Sequence, residues 1–188
     1  MGTPKAALPL AGGRETVVGR VISALRAGGI PEVSVVAGAH VAAVRSAIPT
    51  DCDVRVIEHP GWRQGQLSSL LAGLEAVDDP QLEALMVTLV DVPMVSPSTV
   101  AAVAAEWRRT RGAIVRPARG DQHGHPVIFD RRVFGDLRAA DLSVGAKAVF
   151  ATHRDHIVNV EVADPGAFED IDTPEEYERL LARRARTT

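Results

Sequence analysis

Residues 84–93 read ALMVTLVDVP, and the fold turns on them. The run 84–90 is the most apolar in the chain. An unbroken apolar run of this length is what a strand covered on both faces of a parallel sheet requires. Asp91 closes it, and Pro93 stiffens the turn that follows. In open α/β sheets, ligands gather beyond the carboxyl ends of the strands. A carboxylate fixed at that rim is well placed to ligate Mg2+, which takes one or two carboxylates together with phosphate oxygens. The same Asp could instead cap the turn.

Working outward, apolar periodicity alternates between helix and strand. Residues 16–28 (TVVGRVISALRAG) have helical spacing and end in Gly28-Gly29; 33–37 form a short strand; 40–48 a helix stopped by Pro49; 54–57 a strand; 66–77 a helix. Beyond residue 93, Ser96-Pro97 opens a helix to about Arg109, with Ser at the N-cap and Pro in the first turn. Residues 113–115 and 127–129 read as strands around the polar loop RPARGDQHGH. Residues 131–138 and 144–151 read as helices, and 157–162 as a strand. Thr173-Pro-Glu-Glu176 is a capping box before a last helix to about Arg183. This order predicts an α/β fold: a Rossmann-like three-layer sandwich around a mostly parallel sheet. No repeat or long linker interrupts it, so residues 1–188 read as a single domain.

Size and composition agree. A chain of 188 residues, 46% hydrophobic and 24% charged, can bury a full core. Its net charge of −3 offers no basic excess for nucleic acid. Cys52 is the one cysteine, which excludes an internal disulfide and a cysteine-based metal site. It reads as an inert thiol. No run of 18 apolar residues crosses a membrane as a helix. No signal peptide precedes the first motif, so the expected location is cytoplasmic. Arg183, Arg184 and Arg186 read as a solvated helix end.

The segments that follow the other strands carry the remaining candidates. HPGWRQGQLSSL (59–70) is a loop entering a helix. Ser68 and Ser69 fall near its first turn, where free N–H groups and hydroxyls hold a sugar or phosphate, or simply cap the helix. Trp62 reads equally as packing. In DQHGHP (121–126), His123 and His125 lack a third ligand for zinc. His125 is either an acceptor contact or part of a surface loop. Asp170 and Asp172 alternate ahead of the last helix, so both face one way if extended. One of them could share a cation with Asp91, or both could serve the helix dipole.

Taken together, these stretches resemble the MobA-like nucleotidyltransferase family, most nearly its molybdenum cofactor cytidylyltransferase branch. The matching pieces are MGTPK (1–5) followed by AALPL, HPGWRQGQLSSL, Asp91-Val92-Pro93, Gly124-His125-Pro126, Gly145-Ala146-Lys147 in a helix, and DIDTPE (170–175). The resemblance implies a nucleotidyltransferase-type sheet and a reaction. The terminal phosphate of a molybdopterin-type acceptor attacks the α-phosphorus of a Mg2+-bound nucleoside triphosphate, CTP or GTP, and pyrophosphate leaves. By motif position, Asp91 and Asp172 would hold the metal and Lys5 the triphosphate. Gly65, Ser68 and Ser69 would line the nucleotide, and His125 and Lys147 would meet the acceptor. The ending DIDTP is more like the cytidylyl branch, which favours CTP. A molybdoenzyme or its chaperone would be a further partner.

The chain departs from the family at Gln66 and Leu67, where Met and Ser are usual, and at Lys147, where Arg is usual. Lys147 lacks the planar fork that grips a phosphate with two hydrogen bonds. The family's opening strand and Gly-rich loop are also absent ahead of Met1. Leu10-Ala11-Gly12-Gly13 spells the guanylyl-branch loop but follows the Lys, and reads as the turn before the 16–28 helix. Losing a central strand would unpair both its neighbours. The expectation is therefore that the biological chain starts upstream of Met1. Two other readings are retained: a non-catalytic pterin- or nucleotide-binding module serving a molybdoenzyme, and a guanylyl or sugar-phosphate nucleotidyltransferase.

Overall fold

The computed structural model describes residues 4–10, 13 and 15–185, the last two by backbone alone. Expectations resting on Met1–Thr3, Ala11, Gly12 and the side chains of Arg184 and Arg186 lie outside the described residues.

Helices begin where the caps direct. Thr16 Oγ1 accepts the Gly19 N–H at 3.1 Å and so starts α1 (Val17–Ala27). After β1 (Ser34–Ala37), α2 (Val41–Ala47) and β2 (Arg55–Glu58), helix α3 spans Gln66–Val77. Strand β3 (Ala84–Val87) stops before Thr88, short of the 84–90 run. Ser96 caps α4 (Pro97–Thr110) by accepting the Thr99 N–H. Next come β4 (Ile114–Arg119), the two-residue β5 (Gln122–His123), β6 (Val127–Asp130) and α5 (Phe134–Ala139). Helix α6 (Lys147–Thr152) starts later than residue 144, because Gly145 has φ +73°, a left-handed conformation that ends one turn and precedes the next. Gly145-Ala146 therefore leads into the helix and is not part of it. β7 (Ile157–Glu161) and α7 (Pro174–Ala185) complete the chain.

The expected sandwich stands. On one face of the sheet, Val103, Ala104 and Trp107 of α4 pack on Val115 and Ile128. On the other, Leu67 and Leu74 of α3, Leu137 of α5 and Val149 of α6 pack on Ile114 and Phe129. Leu74, Ile114 and Leu137 are fully buried, each stabilising the fold by about 1.5–3 kcal/mol.

Strand directions are mostly shared. β1 and β2 pair in parallel, as do β4 and β7. β6 runs antiparallel to both β3 and β4, so β3, β4 and β7 point the same way. The reversal follows from the short 120–126 connection, which has no room for a crossover helix. Among the described residues, hydrogen bonding divides the strands into a β1–β2 pair and a five-stranded sheet ordered β3–β6–β4–β5 with β7 on β4. Packing joins the two: Ala37 of β1, Ala6, Val18 and Ile22 share one core with Met86 and Val90.

Candidate active site

The segment that follows β7 returns to the turn after β3. Asp91 sits in the turn after β3, and its carbonyl accepts the Ile171 N–H at 2.8 Å. That bond seats the 170–172 segment beside Asp91. Glu176 holds the segment's shape: its Oε2 accepts both the Asp172 and Thr173 N–H groups at 2.8 Å, and Thr173 Oγ1 accepts the Glu176 N–H at 3.2 Å. This is the expected capping box, and it fixes the backbone of Asp172 as well as starting α7.

Lys5 closes the group from the N-terminal side, its Nζ 2.6 Å from Asp172 Oδ1. Burial raises the pKa of Asp91, and the charges of Asp172 and Asp170 push the same way, while Lys5 opposes them. Asp91 Oδ1 is buried and has no hydrogen-bond partner. Thr88 Oγ1, three residues earlier in the chain, and Nδ1 of His125, whose ring feels the Asp91 charge, share that condition. Burial lowers the pKa of His125, while the Val87 carbonyl and Asp91 act in the opposite direction. His125 is held by its backbone, whose N–H donates to Ala167 O at 2.8 Å. Buried polar atoms ordinarily have partners. An unpartnered Asp91 Oδ1 beside the charges of Asp172, Asp170 and Lys5 marks a place for an ion and the anion it carries.

The residues present fit Mg2+. No group of three or more His, Cys, Asp or Glu side chains among the described residues is arranged to hold a metal by itself. Mg2+ does not need one, since it keeps waters and substrate oxygens beside one or two carboxylates. Asp91, with its orphaned oxygen, and Asp172 would supply that set.

The other predicted residues are placed differently. Ser68 is 5% exposed; its Oγ donates to Gly65 O at 2.7 Å and lies 3.0 Å from His59 Nε2. The hydroxyl is thus engaged in folding the 59–68 loop. Ser69 is half-buried and Gly65 exposed, with Gly65 at φ +105° in the turn that starts α3. Trp62 packs against Gly38, where a Cβ would come within 2.5 Å of the indole. Lys147 is exposed at the start of α6, makes no ion pair among the described residues, and is not joined to the Asp91 group by any contact. Sequence reasoning passed over Thr88, whose one signal was a hydroxyl inside an apolar run. Asp170, read with Asp172 as able to share a cation with Asp91, is part of the electrostatic surroundings of Asp91.

A parallel-rich three-layer sheet with carboxylates converging at the strand ends defines a nucleotidyltransferase-type fold. Residues 1–157 match the MobA-like NTP transferase domain, and the chain belongs to that family. It is accordingly of the nucleotidyltransferase class, with a nucleoside triphosphate as substrate. Among solved structures it is similar to Rv0371c from Mycobacterium tuberculosis H37Rv (28% identity, 97% of this chain and 90% of that one, TM-score 0.81). Rv0371c is also solved in complex with manganese (29% identity, 96% and 93% coverage, TM-score 0.72). A homolog of Rv0371c from Mycobacterium sp. strain JC1 is 30% identical over 100% of this chain and 91% of that one, TM-score 0.81. A nucleotidyl transferase from Methanothermobacter is 25% identical, covering 98% and 86%, TM-score 0.80. No curated protein matches the sequence. Among the described residues no helix is long and apolar enough to cross a membrane.

Proposed function

We propose that this protein transfers CMP from CTP to the phosphate of a molybdopterin-type acceptor. A phosphate oxygen of the acceptor forms a bond to the α-phosphorus, the α-phosphorus–bridging-oxygen bond breaks, and pyrophosphate leaves with the electron pair. The observation that carries the reading is the meeting of Asp91, Asp172 and Lys5 at the rim of the sheet. Asp91 and Asp172 would hold Mg2+, which when bound supplies positive charge against the triphosphate. Lys5 exchanges its contact with Asp172 for phosphate oxygens, so the cation is already in place before the nucleotide arrives. Most of the rate comes from positioning and from charges fixed in advance. The manganese complex of Rv0371c supports a divalent ion in a similar protein. The DIDTP ending supports the cytidylyl choice.

The test is a pyrophosphate-release screen of the four nucleoside triphosphates against molybdopterin-type and sugar-phosphate acceptors. Turnover is expected with CTP and the pterin acceptor. Preference for GTP would overturn the base assignment, preference for a sugar phosphate the acceptor, and no pyrophosphate with any pair the transfer itself.

A further inference from the structure

Arg116 lies on β4, on the face that carries Ile114 toward α3 and α6. Its guanidinium is fixed on two sides. Nε donates to Oδ1 of Asn159, the facing residue of β7, at 3.0 Å. The guanidinium carbon lies 5.4 Å from the centre of the Phe150 ring on α6. Both partners are neutral. No carboxylate pairs with Arg116 among the described residues, whereas Arg45, Arg111, Arg131, Arg132 and Arg138 each meet one. Partial burial without a counter-charge lowers its pKa below the ordinary arginine value, yet an arginine stays charged. An ordered guanidinium whose partners neutralise nothing keeps its terminal N–H fork for an anion.

One neighbour adds charge of the same sign. Lys147 stands three residues before Phe150 on α6, which puts it on the same helix face. Burial, and then the charge of Arg116, lower the pKa of His123 on β5, while Asp121 acts in the opposite direction, so this ring stays neutral beside the guanidinium. The location suits the reaction as well. Val87 pairs with Val127, and Val115 with Ile128, so alternation sets Val87, Val127 and Arg116 on one face. With neighbouring strands about 4.8 Å apart, Arg116 lies about 10 Å across the sheet from the end of β3, where the chain turns to Asp91.

We propose that Arg116 binds the phosphate monoester of the acceptor, with Lys147 as the second cation. This rests on the reading of the protein as a nucleotidyltransferase acting on a phosphate. It explains how the chain manages with Lys147 where an arginine is usual: the planar fork comes from β4. The bidentate grip orients the attacking oxygen, and Asn159 and Phe150 hold the fork still.

The test is calorimetric. Phenyl phosphate, a phosphomonoester probe, and CTP with Mg2+ are titrated separately into wild type, Arg116→Gln and Arg116→Lys. Phenyl phosphate should bind wild type. Binding should weaken about tenfold or more in Arg116→Gln, as expected for losing a charge-assisted bidentate contact, and by less in Arg116→Lys. CTP–Mg2+ binding should be unchanged in both variants. Equal phenyl phosphate affinity in wild type and Arg116→Gln, no binding to wild type, or parallel loss of both ligands would each overturn the proposal. A wild type that binds phenyl phosphate through Arg116 but shows no heat with CTP–Mg2+ would leave an anion site standing and remove the nucleotidyl-transfer reading.

Discussion

Asp91 carries the cost of the site at the scale of single residues. Its carboxyl is half-buried, one oxygen has no partner, and its pKa is raised chiefly by that burial. The unfolded chain titrates this group near pH 3.9. Between that pH and the raised native value, the native state binds the extra proton, so stability falls as pH rises through the window. Above the window the penalty is complete. Asp91→Asn, which removes the charge at nearly constant shape, should therefore melt at a higher temperature than wild type at pH 7 with chelator present. The gap should close as the pH drops below about 4. The same variant should lose turnover. A lower melting temperature at pH 7, or turnover equal to wild type, would contradict this assignment. That Asp91, Asp172 and Lys5 lie together was legible because each closes or opens a recognisable segment. For Ser68 the sequence left two readings open, since a hydroxyl in the first turn of a helix looks the same whether it faces a ligand or folds back on Gly65, as it does here.

Among elements, close approach of loops does the positioning. A Cβ on Gly166 would stand 2.1 Å from Met94 O, and one on Gly124 would stand 2.1 Å from Ala167 O. The turn after β3, the loop before β6 and the loop after β7 meet at these two glycines. Asp164 fastens the same junction: it accepts from the Ser96 and Gly166 N–H groups and from the Thr99 hydroxyl. Gly166→Ala must push the 164–167 loop off Met94, and with it the segment leading to Asp172. It should cost more than the ~1 kcal/mol of an average substitution in urea unfolding. A change below about 0.5 kcal/mol, as for a surface site, would show that the contact is loose. Helix starts were legible through Ser96 and Thr173, whose side chains cap as their spacing indicates, whereas Thr16, read as the first helical residue, proves to be a cap. The early end of β3 and the small strand β5 were not: apolar character continues past Val87, but a pairing partner does not.

Over the whole molecule, the alternation of elements was enough to give the layers and the mostly parallel character of the sheet, though not the reversal at β5 and β6, because a buried parallel strand and an amphipathic helix leave distinct periodicities. Alternation could not show which strands are hydrogen-bonded. The division into a β1–β2 pair and a five-stranded sheet, held together by side-chain packing, is a tertiary fact. Arg116 was equally hidden, since its meaning lies in Asn159 and Phe150, far off in sequence. The central proposal is that the carboxylates of Asp91, after β3, and Asp172, before α7, share one divalent ion on the nucleotide's phosphates. Mn2+ binding in the presence of CTP, followed by water-proton relaxation in wild type, Asp91→Asn and Asp172→Asn, tests this most directly. The account predicts that each variant loses about tenfold or more in Mn2+ affinity, at least 1.4 kcal/mol of binding free energy. Wild-type affinity in either variant would contradict it.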